Sequence, residues 1–211
     1  MSQMTNLPKS FRSWLSSTYS FDLPRLGAVK HSKDGTKKWS VGLENGNYVE
    51  MVLIPERDRN TLCVSSQVGC ALKCDFCSTG KQGFKANLNT AEIVGQLILA
   101  NRHLSREGKK VSNIVFMGMG EPLLNFEAVS SAINLFQDDC AFGLSKRKVT
   151  LSTAGLVPGI MRMKETLDCS LAISLHAPTD SVRNVLVPVN RKYPIKDLLA
   201  AASEYIESRQ S

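Results

Sequence analysis

Cys70, Cys74 and Cys77 stand at a C-x3-C-x2-C spacing, and Cys63 lies seven residues before the first of them. Three thiolates this close can ligate three irons of a cubane [4Fe–4S] cluster and leave the fourth iron without a protein ligand. An open metal position lets a substrate or cofactor coordinate, which separates a reactive centre from a closed structural one. A structural zinc site needs a fourth ligand, which Cys63, His103 or His176 could supply, although zinc sites more often use two separated C-x2-C pairs. Cys63 reads either as a spare ligand or as a reacting thiol. Phe76 lies between the ligands and packs beside whatever the loop holds. Cys140 and Cys169 read as small, partly buried residues.

Further polar residues close short apolar runs downstream. Gly118-Met-Gly120-Glu121-Pro122 ends the first of these runs. Glycines there permit close approach of the backbone to a ligand, and a carboxylate can pair with an ammonium group. Such glycines also mark ordinary strand-to-helix turns. Ser152 ends the next run and Ser174-Leu175-His176 the one after. Polar side chains at strand ends facing a common cleft can hydrogen-bond hydroxyls or a carboxylate. A lone serine there is often the cap of the next helix, and His176 can equally be a satisfied structural histidine.

Positioning these residues requires strands whose carboxyl ends converge. Residues 1–23 are irregular, with a weak helical segment at 11–19. Residues 24–59 read as a small antiparallel extension, with strands at 26–31, 38–43 and 48–54 separated by the turn signals Asp34-Gly35 and Asn45-Gly46. From 60 to 211 the rhythm is strand then helix: a strand at 61–68, a helix at 90–103 capped by Thr90, a strand at 113–117 and a helix at 126–136. Strands at 148–152 and 170–175 follow, with helices at 157–165 and 195–208. About four tandem β/α units imply parallel strands and an α/β fold, either an open doubly wound sheet or part of a barrel, with function at the carboxyl ends of the strands. The last helix meets no glycine stop and no following strand, so the chain reads as truncated.

Apolar residues make up 43% and charged residues 21% of the 211, ordinary values for a globular protein. No apolar run approaches the ~18 residues of a membrane span, and the first ten residues lack the apolar core of a secretory signal, so a cytoplasmic location is expected. Four cysteines within fifteen positions then argue for metal or redox chemistry rather than a disulfide framework. Net charge is +7, with basic groups at Lys37-Lys38, Lys109-Lys110, Lys146-Arg147-Lys148 and Arg191-Lys192. A basic surface favours a polyanionic partner such as nucleic acid, although it can also be a solvated face without a partner.

C-x3-C-x-aromatic-C after the first strand of repeated β/α units resembles the radical S-adenosylmethionine superfamily. Cys63-Val-Ser-Ser-Gln-Val-Gly-Cys70, Cys77-Ser-Thr-Gly-Lys-Gln-Gly-Phe84, Met117-Gly-Met-Gly-Glu-Pro-Leu-Leu-Asn125, Leu151-Ser-Thr-Ala-Gly155 and Ser174-Leu-His-Ala-Pro178 narrow the resemblance to the RlmN/Cfr family of RNA methyltransferases, and to its RlmN branch. The resemblance implies an incomplete (β/α)6-type partial TIM barrel, a [4Fe–4S] cluster on Cys70, Cys74 and Cys77, and S-adenosyl-L-methionine on its open iron. Phe76, Gly120, Glu121, Ser152, Ser174, Leu175 and His176 would contact that cofactor. It implies methylation of C2 of adenosine in 23S rRNA and tRNA through a methyl-cysteine intermediate, with Cys63 as the resolving cysteine and Glu50 as proton acceptor. Carbon C2 offers no nucleophilic electrons, which is why a radical route is needed there, and the adenine must be presented unstacked. Partners would be the two RNAs and a one-electron donor such as flavodoxin or ferredoxin, with the protein a monomer. The methyl-carrying cysteine of the family lies in a carboxyl-terminal segment that this sequence does not match, so the chain by itself is expected not to complete turnover. Methylation at C8, as in the Cfr branch, is the alternative within the family. A zinc-stabilised nucleic-acid-binding module is the alternative outside it.

Overall fold

The computed structural model describes residues 4–20 and 22–209. In chain order the elements are α1 (Lys9–Thr18), β1 (Arg25–His31), β2 (Lys37–Gly42), β3 (Tyr48–Pro55), β4 (Asn60–Cys63), β5 (Gln67–Val68), α2 (Ser78–Lys81), β6 (Ala86–Asn87) and α3 (Thr90–Leu104). They continue with β7 (Asn113–Phe116), α4 (Phe126–Gln137), β8 (Val149–Thr153), α5 (Val157–Thr166), β9 (Ser170–Ile173), α6 (Asp180–Leu186) and α7 (Ile195–Glu207). One sheet runs β1-β2-β3-β4-β7-β8-β9. It is antiparallel from β1 to β4 and parallel from β4 to β9. The parallel core is the partial barrel expected from the sequence, and strands β1 to β3 extend its sheet. Both hairpin turns form where expected, because the Asp34 and Asn45 side chains accept from the backbone N–H groups of Thr36 and Asn47.

Register sorts the side chains onto two faces. Lys38, Val52, Cys63, Val115, Thr150 and Ser170 stand in one row across six strands. Their neighbours along each strand point the other way. That second, outer face carries Trp39, Met51, Leu62, Ile114, Phe116, Val149 and Leu151, all buried. It packs under Ile93, Leu97 and Ala100 of α3, Val129, Ile133 and Phe136 of α4, and Ile160, Met163 and Leu198 of α5 and α7. Each such large side chain contributes about 1.5–3 kcal/mol on leaving water. The inner face stays partly open and polar.

Three boundaries differ from the sequence reading, each for a local reason. The strand expected at 61–68 breaks after Cys63, because beyond a last ladder bond from the Val64 N–H to the Val115 carbonyl the chain hooks onto the turn that follows β7. Ser66 and Gln67 donate their N–H groups to the Met119 carbonyl, and Gly118 donates to Val64. The cap of α3 is Asn89 and not Thr90. The Asn89 Oδ1 accepts from the Glu92 N–H at 2.8 Å while Glu92 accepts from the Asn89 N–H at 2.9 Å, a reciprocal capping box. The strand expected at 170–175 ends at Ile173, where tight turns from Ile173 to Ala177 carry His176 into a left-handed conformation with φ of 63°. Helix α6 had no sequence signal, since Arg183 is its only fully buried residue and no apolar period announces it.

Candidate active site

The carboxyl ends of the parallel strands frame a cavity of about 400 Å³. Its wall includes Cys70, Cys74, Phe76 and Cys77 from the cysteine loop, Gly120 and Glu121 from the turn after β7, Ser152 from β8, and Ser174 and His176 from the turn after β9. Nine of the twelve residues singled out in the sequence therefore meet at one place. Leu175, Glu50 and Cys63 are not part of this wall.

The cysteine loop is held at both ends. At its start, a Cβ on Gly69 would fall 1.7 Å from the Gly83 carbonyl oxygen, so the strand entering the loop and the chain leaving it pass in backbone contact. Across the site, the Asp75 N–H donates to the Leu186 carbonyl of α6 at 3.0 Å, and the Phe76 ring lies 4.4 Å from the His176 ring. All three thiols are free. Burial raises the pKa of Cys70 and takes Cys74 up to about 11, with the neighbouring thiols adding to both. Thiols in this state need a cation beside them to ionise.

Packing requires a glycine at position 120. Its φ is +100°, and a Cβ would sit 2.5 Å from that of Gln67. The Gln67 side chain accepts from the Glu121 N–H at 2.8 Å and donates to Asn87, tying the turn to β6. Glu121 itself is 3% exposed. Its two oxygens accept from the backbone N–H groups of Ala154 at 2.8 Å and Leu123 at 3.2 Å. Burial still prevails and pushes its pKa up to about 6. The carboxylate expected to meet an ammonium group thus already fastens the turn after β7 to the turn after β8, with lone pairs left over toward the cavity. The Ser152 and Ser174 hydroxyls are 3.4 Å apart.

Cys63 and Glu50 share the inner face of the sheet outside this wall. Cys63 pairs with Val52 in the ladder, and Glu50 lies two positions along β3 toward the carboxyl end of β4. Burial raises the Cys63 thiol to about 11. The Glu50 carboxylate is exposed and pairs with the Lys38 Nζ at 2.8 Å. Two polar residues that sequence reasoning missed complete the frame. The buried Gln96 amide clamps the backbone of Ser65 in both directions at 2.9 Å, so it fixes the hook between Cys63 and Cys70. Arg183 is fully buried behind the turns after β8 and β9. Nothing in a helical apolar pattern distinguishes either from a surface residue.

The donor set suits an iron–sulfur cluster. Among the described residues no three His, Cys, Asp or Glu side chains are grouped tightly enough for a single ion. A cubane presents separate irons to separate thiolates, so its ligands need only line one cavity, as these three do. The family model of the radical SAM superfamily matches residues 64–210. The chain belongs to the radical SAM superfamily. Radical SAM enzymes such as RlmN use a [4Fe–4S] cluster and S-adenosylmethionine. The chain is 54% identical to the dual-specificity RNA methyltransferase RlmN of Vesicomyosocius okutanii over 98% of its own length and 58% of that protein. It is 55% identical to the protein of the same name from Marinobacter nauticus, over 97% of this chain and 56% of that one. A crystal structure of a radical SAM methyltransferase from Sphaerobacter thermophilus superimposes with a TM-score of 0.90 at 40% identity, covering 99% of this chain and 62% of the other. The chain thus spans a little over half the length of the curated relatives it matches.

Proposed function

We propose that this chain forms the cofactor-binding part of a radical SAM methyltransferase acting on C2 of adenosine in 23S rRNA and tRNA. The observation that carries the reading is the single cavity at the strand ends, walled by three thiols on one side and by a carboxylate, two serines and a histidine on the other. The names of relatives more than half identical over nearly the whole chain supply the substrate class.

In this reading Cys70, Cys74 and Cys77 hold the cluster, whose open iron with S-adenosylmethionine supplies a carbon-centred radical when bound. Phe76 and His176 give an aromatic wall of two tilted rings, and Ser152 and Ser174 offer hydrogen bonds to a polar cofactor. Gly120 and Glu121 form the opposite wall, with the Glu121 carboxylate half-ionised near pH 6 and a good partner for an ammonium group above it. Cys63 is the resolving thiol. At neutral pH it is protonated, so it cannot act as a nucleophile until a base withdraws its proton. Glu50, on the same face of the sheet, is the proposed proton acceptor for the reaction. The basic groups would serve RNA, although Lys38, Lys109 and Lys146 already pair with Glu50, Glu107 and Asp168. Among the described residues no helix is long and apolar enough to cross a membrane. We place the protein in the cytoplasm as a monomer served by a one-electron donor such as flavodoxin or ferredoxin.

Deleting the coding gene in its host and mapping methyladenosines in purified RNA tests this. Loss of 2-methyladenosine from 23S rRNA and tRNA is expected. Its persistence in both would overturn the reading, and loss of 8-methyladenosine instead would move the activity to the other carbon.

A further inference from the structure

Arg183 heads the largest fully buried side chains, and the reading above gives it no role. Its accessibility is 0%, yet among the described residues no ion pair includes it. Neutral oxygens surround it instead. Nε donates to the Leu175 carbonyl at 2.9 Å, Nη1 to the Asn190 Oδ1 at 2.6 Å, and Nη2 to the carbonyls of Ala154 at 2.6 Å and Ser174 at 3.3 Å. Gly155 makes room for it, since a Cβ there would lie 3.3 Å from Nη2 at a φ of +112°. A dry cation facing only dipoles is unfavourable unless an anion lies close by.

The cysteine loop is where such an anion arises. The Asp75 N–H bond to Leu186 and the Phe76–His176 ring contact both fasten that loop to the cage around Arg183. Burial works against the Arg183 charge, and Cys74 and Asp180 are the nearby groups that would favour it when ionised. The Asp180 carboxylate is in any case engaged by Asn190 and by the Ile195 N–H.

We propose that Arg183 is a positioning residue for the cluster site: its guanidinium holds the turns after β8 and β9 against the cysteine loop, and its uncompensated charge raises the electron affinity of the cluster bound by Cys70, Cys74 and Cys77. This rests on the reading that those cysteines hold a cluster. One electron enters from the external reductant, no bond forms or breaks, and the site becomes one charge more negative. A buried cation favours that change.

The test is a potentiometric titration of the anaerobically reconstituted chain at pH 8, followed by the electron paramagnetic resonance of the reduced cluster. At the parent's midpoint, Arg183→Met should leave about ten times less reduced relative to oxidised cluster, a shift of ~59 mV for a one-electron couple. Arg183→Lys keeps the charge and should stay within about twofold of the parent. Asn184→Asp preserves the oxygen that accepts from Asn190 and adds a negative charge to the same network, so about a threefold loss is expected. It decides the matter alone if Arg183→Met does not fold. Neutral and charged variants that hold a cluster and titrate together within twofold of the parent overturn the proposal. A parent that takes up no iron and sulfide overturns the cluster reading itself.

Discussion

The two faces of the sheet obey different rules although they belong to the same strands. The outer face is dry and apolar: Leu62, Ile114, Phe116, Val149 and Leu151 disappear under four helices. The inner face carries Thr61, Asn113, Thr150, Ser152 and Ser170, all half-buried, with Cys63 in the middle row. Strands of a parallel sheet covered on both sides read as unbroken apolar runs. Here β7 and β8 alternate in burial at every residue. The alternation reports that one side is core and the other is working surface, so stability and chemistry are divided by the pleat rather than by position along the chain.

Core truncation is the largest lever on that division. Leu151→Ala, on the outer face, should lower the unfolding free energy by about 2–5 kcal/mol, while Thr150→Ala, its neighbour on the inner face, should stay within about 1 kcal/mol. Denaturant unfolding of the apo-chain measures both, and equal losses would break the comparison.

Gly120→Ala comes next, at about 2–4 kcal/mol, because it combines an unfavourable φ with a clash against Gln67. The same titration reads it, and a neutral result would mean that the turn after β7 is looser than its contacts imply.

Glu121 adds a pH dependence. Its pKa rises from 4.5 to about 6 on folding. The folded state therefore holds the proton more tightly, and stability contributed below about pH 4.5 is lost as pH rises through about 6. The loss amounts to about 2 kcal/mol. Unfolding of the apo-chain at a series of pH values should show this slope, and Glu121→Gln should flatten it.

The smallest effect belongs to the cap of α3, a helix of the outer face. Asn89→Ala should remove about 1 kcal/mol and Thr90→Ala much less. Thermal melts of the two variants compare them directly, and the reverse order would contradict the capping box.

The sequence carried the parallel core, the cysteine loop and most of the cavity wall, because each has a local signature: a strand period, a thiol spacing, a glycine turn. It missed what depends on contacts between distant segments. Gln96 and Arg183 are long polar side chains that any helix can point outward; only the fold turns one onto the Ser65 backbone and the other beneath two strand-end turns. The break after Cys63 was hidden for a similar reason, since Ser65 and Ser66 are drawn out of the ladder by the Met119 turn, 53 positions beyond Ser66. Gly120 stood out as a place where a ligand could approach, and the fold adds a duty with no local signature, its packing on Gln67. Even Thr90 illustrates the point: the better cap stood one residue earlier, where Glu92 could answer it.

Everything turns on three thiols leaving one iron vacant beside the Glu121 wall, and spectroscopy of the anaerobically reconstituted chain addresses it directly. The expected result is about four irons and four sulfides per chain, uptake abolished in Cys74→Ala, and a reduced-cluster resonance that changes shape when S-adenosylmethionine is added. Zinc in place of iron, or a resonance indifferent to S-adenosylmethionine, would contradict the account.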